Sequence, residues 1–137
     1  MAGKAKVASI GGIFIRARDP KGLAAWYRDN LGVAIEGNST YGTFTAESNG
    51  HDATGSPLQT VWSTFPNDTE YFGPGGAQWM INYRVADLDA MLAQLRAAGG
   101  WVSDKVEDFD YGRFSWAADP EGNRFELWQP PVGKAAF

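Results

Sequence analysis

Residues 13–18 alternate between aliphatic side chains at odd positions and aromatic or basic side chains at even positions. A period of two is typical of a strand whose two faces meet different surroundings. Asp19 and Pro20 follow as a helix cap and a first-turn proline. Apolar residues at helical spacing then predict a helix over 21–31 that ends at Gly32.

Three short strands are predicted after this helix, over residues 33–36, 40–46 and 58–65. The intervening residues 47–57 are rich in Gly, Asn, Ser and Asp, which predicts a loop.

The second half repeats this order of elements. Its patterns predict a strand over 79–85, a helix from Asp87 to Ala98, and strands over 101–106, 112–118 and 124–129.

The two halves also share short stretches of sequence. Tyr-Gly-Thr-Phe at 41–44 recurs as Tyr-Gly-Arg-Phe at 111–114, and Arg-Asp at 18–19 recurs as Ala-Asp at 86–87. A displacement of roughly 70 residues is the size of a folded unit.

We therefore predict one α+β domain over residues 1–137, built from two tandem βαβββ units. The units span 7–65 and 77–130, a linker at 66–76 joins them, and 131–137 form a tail. The helix of each unit covers one sheet face, so the other face is free to curl around a central cleft.

Strand alternation predicts which residues face this cleft, since the helices must cover the aliphatic sets. A mixture of aromatic, amide and charged groups is typical of a small-molecule pocket. The predicted cleft residues are Gly12, Phe14, Arg16, Met80, Asn82, Arg84, Arg124, Glu126 and Trp128.

The composition narrows the classes of function. A formal net charge of -4 disfavours nucleic acid, which needs clustered Lys and Arg. The chain contains no cysteine, which excludes thiolate metal sites and cysteine nucleophiles. The apolar run after residues 1–6 is too short for a signal peptide or membrane span, so we expect a cytoplasmic protein without a membrane partner.

Several of these motifs together resemble the vicinal oxygen chelate superfamily, which includes glyoxalase I, bleomycin-resistance proteins and extradiol dioxygenases. They are the paired units, the helix opening at 18–20 with its continuation at 26–28 and 31–32, and the ending at 119–128. The resemblance covers about Val7 to Pro130. It implies the fold but leaves the activity open, because this fold hosts both enzymes and drug binders.

Members of the superfamily that use a divalent ion carry His or Glu on the cleft side of the first and last strands of each unit. Here those positions correspond to Gly12, Met80 and Glu126. When the prolines that end the two last strands are superposed, the fourth position is Trp62. A lone carboxylate does not hold a transition ion against water, so we predict no metal and no other cofactor, with a divalent metal as the alternative.

The chain has a single histidine, His51, which lies in the predicted loop. It becomes a metal ligand only if the loop folds into the cleft beside Glu126; otherwise it is a solvated loop residue. Glu126 itself is the candidate catalytic base, or an anchor for a cationic or hydroxyl-bearing ligand. The alternative is that it pairs with Arg16, Arg84 or Arg124 and serves only to neutralise the cleft.

Aromatic rings suit stacking against planar ligands, and arginine forks suit carboxylates. Trp26, in contrast, is assigned to the apolar stripe of the first helix. The predicted ligand-binding residues are Phe14, Arg16, Trp62, Met80, Asn82, Arg84, Glu126 and Trp128.

The resulting functional hypothesis is a metal-independent protein that binds a small organic molecule in an aromatic cleft, as bleomycin-resistance proteins do. The alternative is an enzyme of the superfamily, a lyase, isomerase or dioxygenase, that uses Glu126 as base or metal ligand. By resemblance we also expect a homodimer, with Trp79 and Trp101 available for the contact.

Overall fold

The computed structural model of the protein describes residues 3–44, 50–52, 54–133 and 136. The end of one predicted strand (45–46), part of the predicted loop (47–49 and 53) and three tail positions (134, 135 and 137) lie outside the described residues. The elements in chain order are β1 (Val7–Ala17), α1 (Pro20–Leu31), β2 (Tyr41–Phe44), β3 (Thr60–Pro66), β4 (Trp79–Val85), α2 (Leu88–Ala97), β5 (Glu107–Phe109), β6 (Gly112–Ala118) and β7 (Arg124–Gln129).

All seven described strands form one curled sheet in the order β2-β3-β1-β4-β7-β6-β5. Within each unit the first strand pairs in parallel with the last, β1 with β3 and β4 with β7. The antiparallel pair of β1 with β4 joins the two units. This arrangement confirms the predicted α+β fold of two βαβββ units around a cleft.

Both helices begin at the predicted caps and end within one residue of the predicted positions, α1 at Leu31 and α2 at Ala97. The side chain of Asp19 accepts a hydrogen bond from the amide of Gly22, and Asp87 does the same for Ala90. Gly32 closes α1 in the left-handed conformation with φ of 70°. Neither helix of the described chain has the length and apolar character needed to cross a bilayer.

Each helix packs on the outer face of its own half of the sheet. The core between α1 and the sheet comprises Ile15, Ala24, Val33, Ile35 and Trp62, and the core between α2 and the sheet comprises Val85, Leu88, Met91, Leu92 and Leu127. Trp26, by contrast, is 52% exposed, so its assignment to the buried stripe of α1 was wrong.

Two of the predicted strands differ in the structure. Residues 33–36 contribute only a bridge from Ile35 to Gly42, and residues 101–106 only a bridge from Val102 to Ala117. The first segment lies beside the outer strand β2 and the second beside β6, the strand next to the outer strand β5, so each segment has one neighbour at most that offers hydrogen bonds. The strand that follows this segment in the chain is β5, which begins at Glu107, after the end of the strand predicted over 101–106.

The structure explains why both Tyr-Gly-x-Phe stretches contain a glycine. A Cβ on Gly42 would lie 2.2 Å from the carbonyl oxygen of Ala34, and one on Gly112 would lie 2.4 Å from Nε1 of Trp128. Gly112 also has a φ of 133°, a conformation that other residues rarely adopt. Both halves therefore need glycine where another segment crosses close by.

Candidate functional site

The inner face of the curled sheet encloses a cavity of about 270 Å³. Phe14 and Phe65 meet at 5.2 Å between ring centroids on one wall, and Phe114 stacks on Trp128 at 6.1 Å and 7° on the other. The described lining residues are Gly11, Phe14, Tyr41, Val61, Ser63, Phe65, Tyr71, Asn82, Phe109, Tyr111, Phe114, Glu126 and Trp128.

Glu126 is 1% exposed and receives three hydrogen bonds from neutral donors. The Nδ2 of Asn82 donates to its Oε1 at 2.6 Å, and the indole Nε1 of Trp116 donates to its Oε2 at 3.0 Å. The hydroxyl of Tyr71 also donates to Oε2 in a very short contact. Three elements thus hold the carboxylate: β4, β6 and the segment between β3 and β4.

Burial is the largest influence on the pKa of Glu126. Loss of hydration raises its pKa, the three donated hydrogen bonds oppose that rise, and the result is a pKa of about 7. Burial and the neighbouring carboxylate of Glu126 likewise raise the pKa of Tyr71 far above its ordinary value. The phenol therefore keeps its proton and acts as a hydrogen-bond donor at physiological pH.

Asn82 carries an acceptor with no assigned partner. Its Nδ2 is held by Glu126, while its Oδ1 is buried and accepts no hydrogen bond from any described residue. An unpaired buried acceptor costs about 1–3 kcal/mol. Native proteins rarely accept that cost without a structural or functional reason.

The segment between β3 and β4, residues 67–78, reaches into the cleft; we call it the connecting segment. The sequence indicated only a linker here, but Phe72 is 1% exposed and Tyr71 stacks on Phe65 at 5.3 Å. Arg16 fixes the segment, because its guanidinium donates to the carbonyls of Ala77, Asn67 and Thr69 at 2.5, 3.0 and 2.7 Å.

A family model described as a glyoxalase-like domain matches residues 12–128. The chain belongs to the glyoxalase-like family. It is thus a member of the vicinal oxygen chelate superfamily, as the sequence motifs indicated. No curated protein matches the chain by sequence.

Solved structures with the same fold include several epimerases. Methylmalonyl-CoA epimerase from Mycobacterium tuberculosis is 20% identical with a TM-score of 0.61, covering 96% of this chain and 93% of that one. A variant of the Streptomyces coelicolor methylmalonyl-CoA epimerase, in complex with 2-nitronate-propionyl-CoA, is 18% identical with a TM-score of 0.65, covering 93% and 100%. A glyoxalase/bleomycin resistance protein/dioxygenase superfamily member from Vibrio splendidus is 12% identical with a TM-score of 0.54, covering 92% and 99%.

Four of the predicted ligand-binding residues of this glyoxalase-like domain line the cavity: Phe14, Asn82, Glu126 and Trp128. Met80 is 2% exposed and belongs to the apolar cluster that includes Phe14 and Trp128, but it does not line the cavity.

Trp62 is placed differently from the prediction. Its ring packs against Tyr27 of α1 at 4.5 Å, on the face opposite the cleft. The strand register shows the reason: Phe14 pairs with Ser63 in the first unit as Asn82 pairs with Glu126 in the second. Ser63 is therefore the counterpart of Glu126, and a shift of one residue turned the prediction to the wrong face.

Two predicted ligand-binding arginines have protein partners instead. Arg16 holds the connecting segment, and Arg84, which is 1% exposed, pairs with Asp52 at 2.8 Å. Among the described residues no cation pairs with Glu126, so the alternative of a Glu126–arginine pair is wrong for Arg16 and Arg84. The guanidinium of Arg124 lies 4.8 Å from the Trp101 ring.

His51 is exposed and its backbone bridges to Pro57, and it is not among the hydrogen-bond partners of Glu126. The neighbouring Asp52 binds Arg84. Burial alone would raise the pKa of Asp52, but hydrogen bonds from Arg84, Thr54 and Ser56 outweigh it and lower the pKa to about 2. No group of three or more His, Asp or Glu suited to a metal ion occurs among the described residues.

Sequence reasoning missed several residues of the cavity wall. Tyr41 and Tyr111 were visible in the internal repeat, which places them at equivalent positions of the two units. Tyr71 lies in a Gly- and Pro-rich segment without periodicity, so only its aromatic character marked it. Ser63 would have emerged from a correct superposition of the two last strands.

Proposed function

We propose that this glyoxalase-like protein binds a small, ring-bearing organic molecule in its aromatic cleft without a metal ion. The observation that carries the proposal is a cavity walled by aromatic rings in which a single buried carboxylate, Glu126, is already held by neutral donors. Apolar walls with a few convergent polar groups are typical of small-molecule sites.

The donor set at Glu126 supports metal independence. The cleft positions that correspond to ligands in metal-dependent relatives hold Gly12, Met80 and, by strand register, Ser63. None of these offers the imidazole or carboxylate that transition ions prefer. The carboxylate instead receives N–H and O–H groups, whose positive ends occupy the directions that a cation would take.

Tryptophan fluorescence of the purified protein tests the proposal against a library of aromatic compounds. A ligand that stacks on Trp128 should change the emission of the wild type, and Trp128→Phe should lose most of that change. Trp79→Phe is the matched control, since Trp79 is 48% exposed and does not line the cavity. The proposal is wrong if no compound binds at millimolar concentration, or if a stoichiometric transition ion is bound to Glu126.

A second function, catalysis, is favoured by one observation: the pKa of Glu126, at about 7, suits a general base near neutral pH. The enzyme would then be an isomerase, lyase or dioxygenase of this superfamily. The proteins with similar solved structures include epimerases. Proton abstraction would appear as exchange of a carbon-bound hydrogen of the ligand in D₂O, followed by NMR. Glu126→Gln should abolish this exchange, while Glu121→Gln, an exposed carboxylate, should not.

The proposal includes a homodimer. Large apolar side chains such as Trp79 and Trp101 are about half exposed and are available for a contact between two chains. Sedimentation equilibrium decides between one and two chains.

A further inference from the structure

The polar groups of the cavity differ in what they still offer to a ligand. The hydroxyl of Tyr71 already donates its hydrogen bond to Glu126, and the hydroxyl of Ser63 donates to the carbonyl of Thr64 at 3.2 Å. Next to Glu126, what remains is acceptor capacity, on Glu126 itself and on Asn82. We propose that the ligand is a planar aromatic compound that presents an N–H donor to the Oδ1 of Asn82, and that anions are excluded. This inference rests on the proposed function.

The orientation of the Asn82 amide is set by Glu126. In its ionised form Glu126 accepts hydrogen bonds and cannot donate one, so the amide turns its Nδ2 toward Oε1 of Glu126. Its Oδ1 is then left on the other side with no partner among the described residues. A ligand N–H supplies the missing donor.

Gly11 keeps this acceptor clear of other side chains. It lines the cavity at a register shift between β1 and β4. A Cβ at this position would lie 2.3 Å from Oδ1 of Asn82 and 2.7 Å from the Trp128 ring. Any other residue here would cover both the acceptor and the edge of the ring.

The Trp128 ring and the Oδ1 acceptor of Asn82 are therefore adjacent. Trp128 and Phe114 form a nearly parallel stack on the wall next to Gly11. A flat ligand that contacts this wall brings a donor on its edge toward Asn82. The geometry favours a ring N–H, as in an indole, over a donor on a long flexible chain.

The charge of the cavity excludes anions. Among the described lining residues Glu126 is the one carboxylic acid, and no Lys, Arg or His lines the wall. The nearest candidates are Arg16, which is engaged by backbone carbonyls, and Arg84, which lies 5.3 Å from the centroid of the Trp128 ring but is paired with Asp52. A carboxylate ligand would enter an apolar cavity beside a buried acid without a counter-ion.

Calorimetric titration with three probes tests the inference on the intact protein. Indole carries the N–H, benzothiophene has nearly the same shape without it, and benzoate is the anion. We expect indole to bind roughly tenfold more tightly than benzothiophene, the usual effect of one hydrogen bond to a buried acceptor, and benzoate to show no binding.

Asn82→Leu removes the acceptor and keeps the volume, so the preference for indole should fall to near one while benzothiophene still binds. Asn38→Leu, at an exposed position, is the matched control and should retain the wild-type preference. If Asn82→Leu does not fold, the probe pair on the wild type still decides. Equal binding of indole and benzothiophene overturns this inference and leaves the proposed function intact. Binding of neither probe also overturns this inference, and the proposed function fails with it only if the library of aromatic compounds does not bind either.

Discussion

Glu126 combines nearly complete burial with hydrogen bonds from Tyr71, Asn82 and Trp116. Burial favours its neutral form, and the donors favour its ionised form. The balance leaves the pKa near 7, above the value of 4.5 for an unperturbed glutamate. The protein therefore holds a group whose charge changes within the physiological range.

This elevated pKa links folding to pH. The folded chain holds the proton more tightly than the unfolded chain, so the stabilisation is fully present below about pH 4.5 and is lost as pH rises through about 7. From the shift of the pKa we expect wild-type stability to fall by roughly 3 kcal/mol between pH 4.5 and 8.5 through this group. Urea unfolding at the two pH values measures it.

Glu126→Gln should lack this component of the pH dependence, because the amide does not titrate. Glu121→Gln, on the exposed turn before β7, should keep it. The same slope of stability against pH in wild type and Glu126→Gln would contradict the prediction.

Trp62 provides a second test at the scale of one residue. It is 8% exposed and packs under α1. Trp62→Ala should lower the free energy of unfolding by about 3–5 kcal/mol, because it leaves a cavity in the core. Trp26→Ala, on the exposed side of the same region, should cost less than about 1 kcal/mol. Equal losses in chemical denaturation would show that Trp62 does not belong to this core.

Among the elements, the connecting segment is the one whose role is least evident from its composition. It is irregular and rich in Gly and Pro, yet three of its carbonyls bind Arg16, and the Phe72 ring lies 5.1 Å from the guanidinium. Arg16 thereby places Tyr71 against Glu126. Its contribution to the cleft is to position the connecting segment rather than to contact a ligand.

Arg16→Ala should release the connecting segment, because a neutral methyl group replaces the donor of all three hydrogen bonds. We expect thermolysin to cleave the variant near Tyr71 and Phe72 at least several times faster than the wild type, since local opening governs such cleavage. Arg18→Ala, at an exposed neighbouring position, is the control. Unchanged cleavage in Arg16→Ala would mean that other contacts fix the segment.

Regular periodicity allowed β4, β6 and β7 to be predicted with the bounds that the structure shows. The same patterns did not reveal that 33–36 and 101–106 make only single bridges, because edge pairing depends on the partner strand and not on the segment itself. Phe14, Asn82 and Glu126 followed from strand parity. The roles of Arg16, Arg84 and Tyr71 did not, since their contacts join positions more than 30 residues apart.

The molecule as a whole is held together by the pairing of β1 with β4, which makes one sheet of two units. The apolar cluster beside the cleft also contains residues of both units, with Phe14 from the first and Trp128 from the second. Neither half can separate without exposing this cluster to water. The two units should therefore not unfold independently.

We expect a single cooperative unfolding transition. Far-UV circular dichroism, which follows both helices, and tryptophan emission, which follows the cleft and the α1 core, should give coincident curves in urea. Two separate transitions would show that the units are independent folding domains.

The register of the strands sets Ser63 where the first unit would otherwise repeat Glu126, and Phe14 where it would repeat Asn82. The two units thus share their geometry but differ in their chemistry at these positions. One end of the cavity is apolar and the other is polar, so an asymmetric ligand should bind in a single orientation.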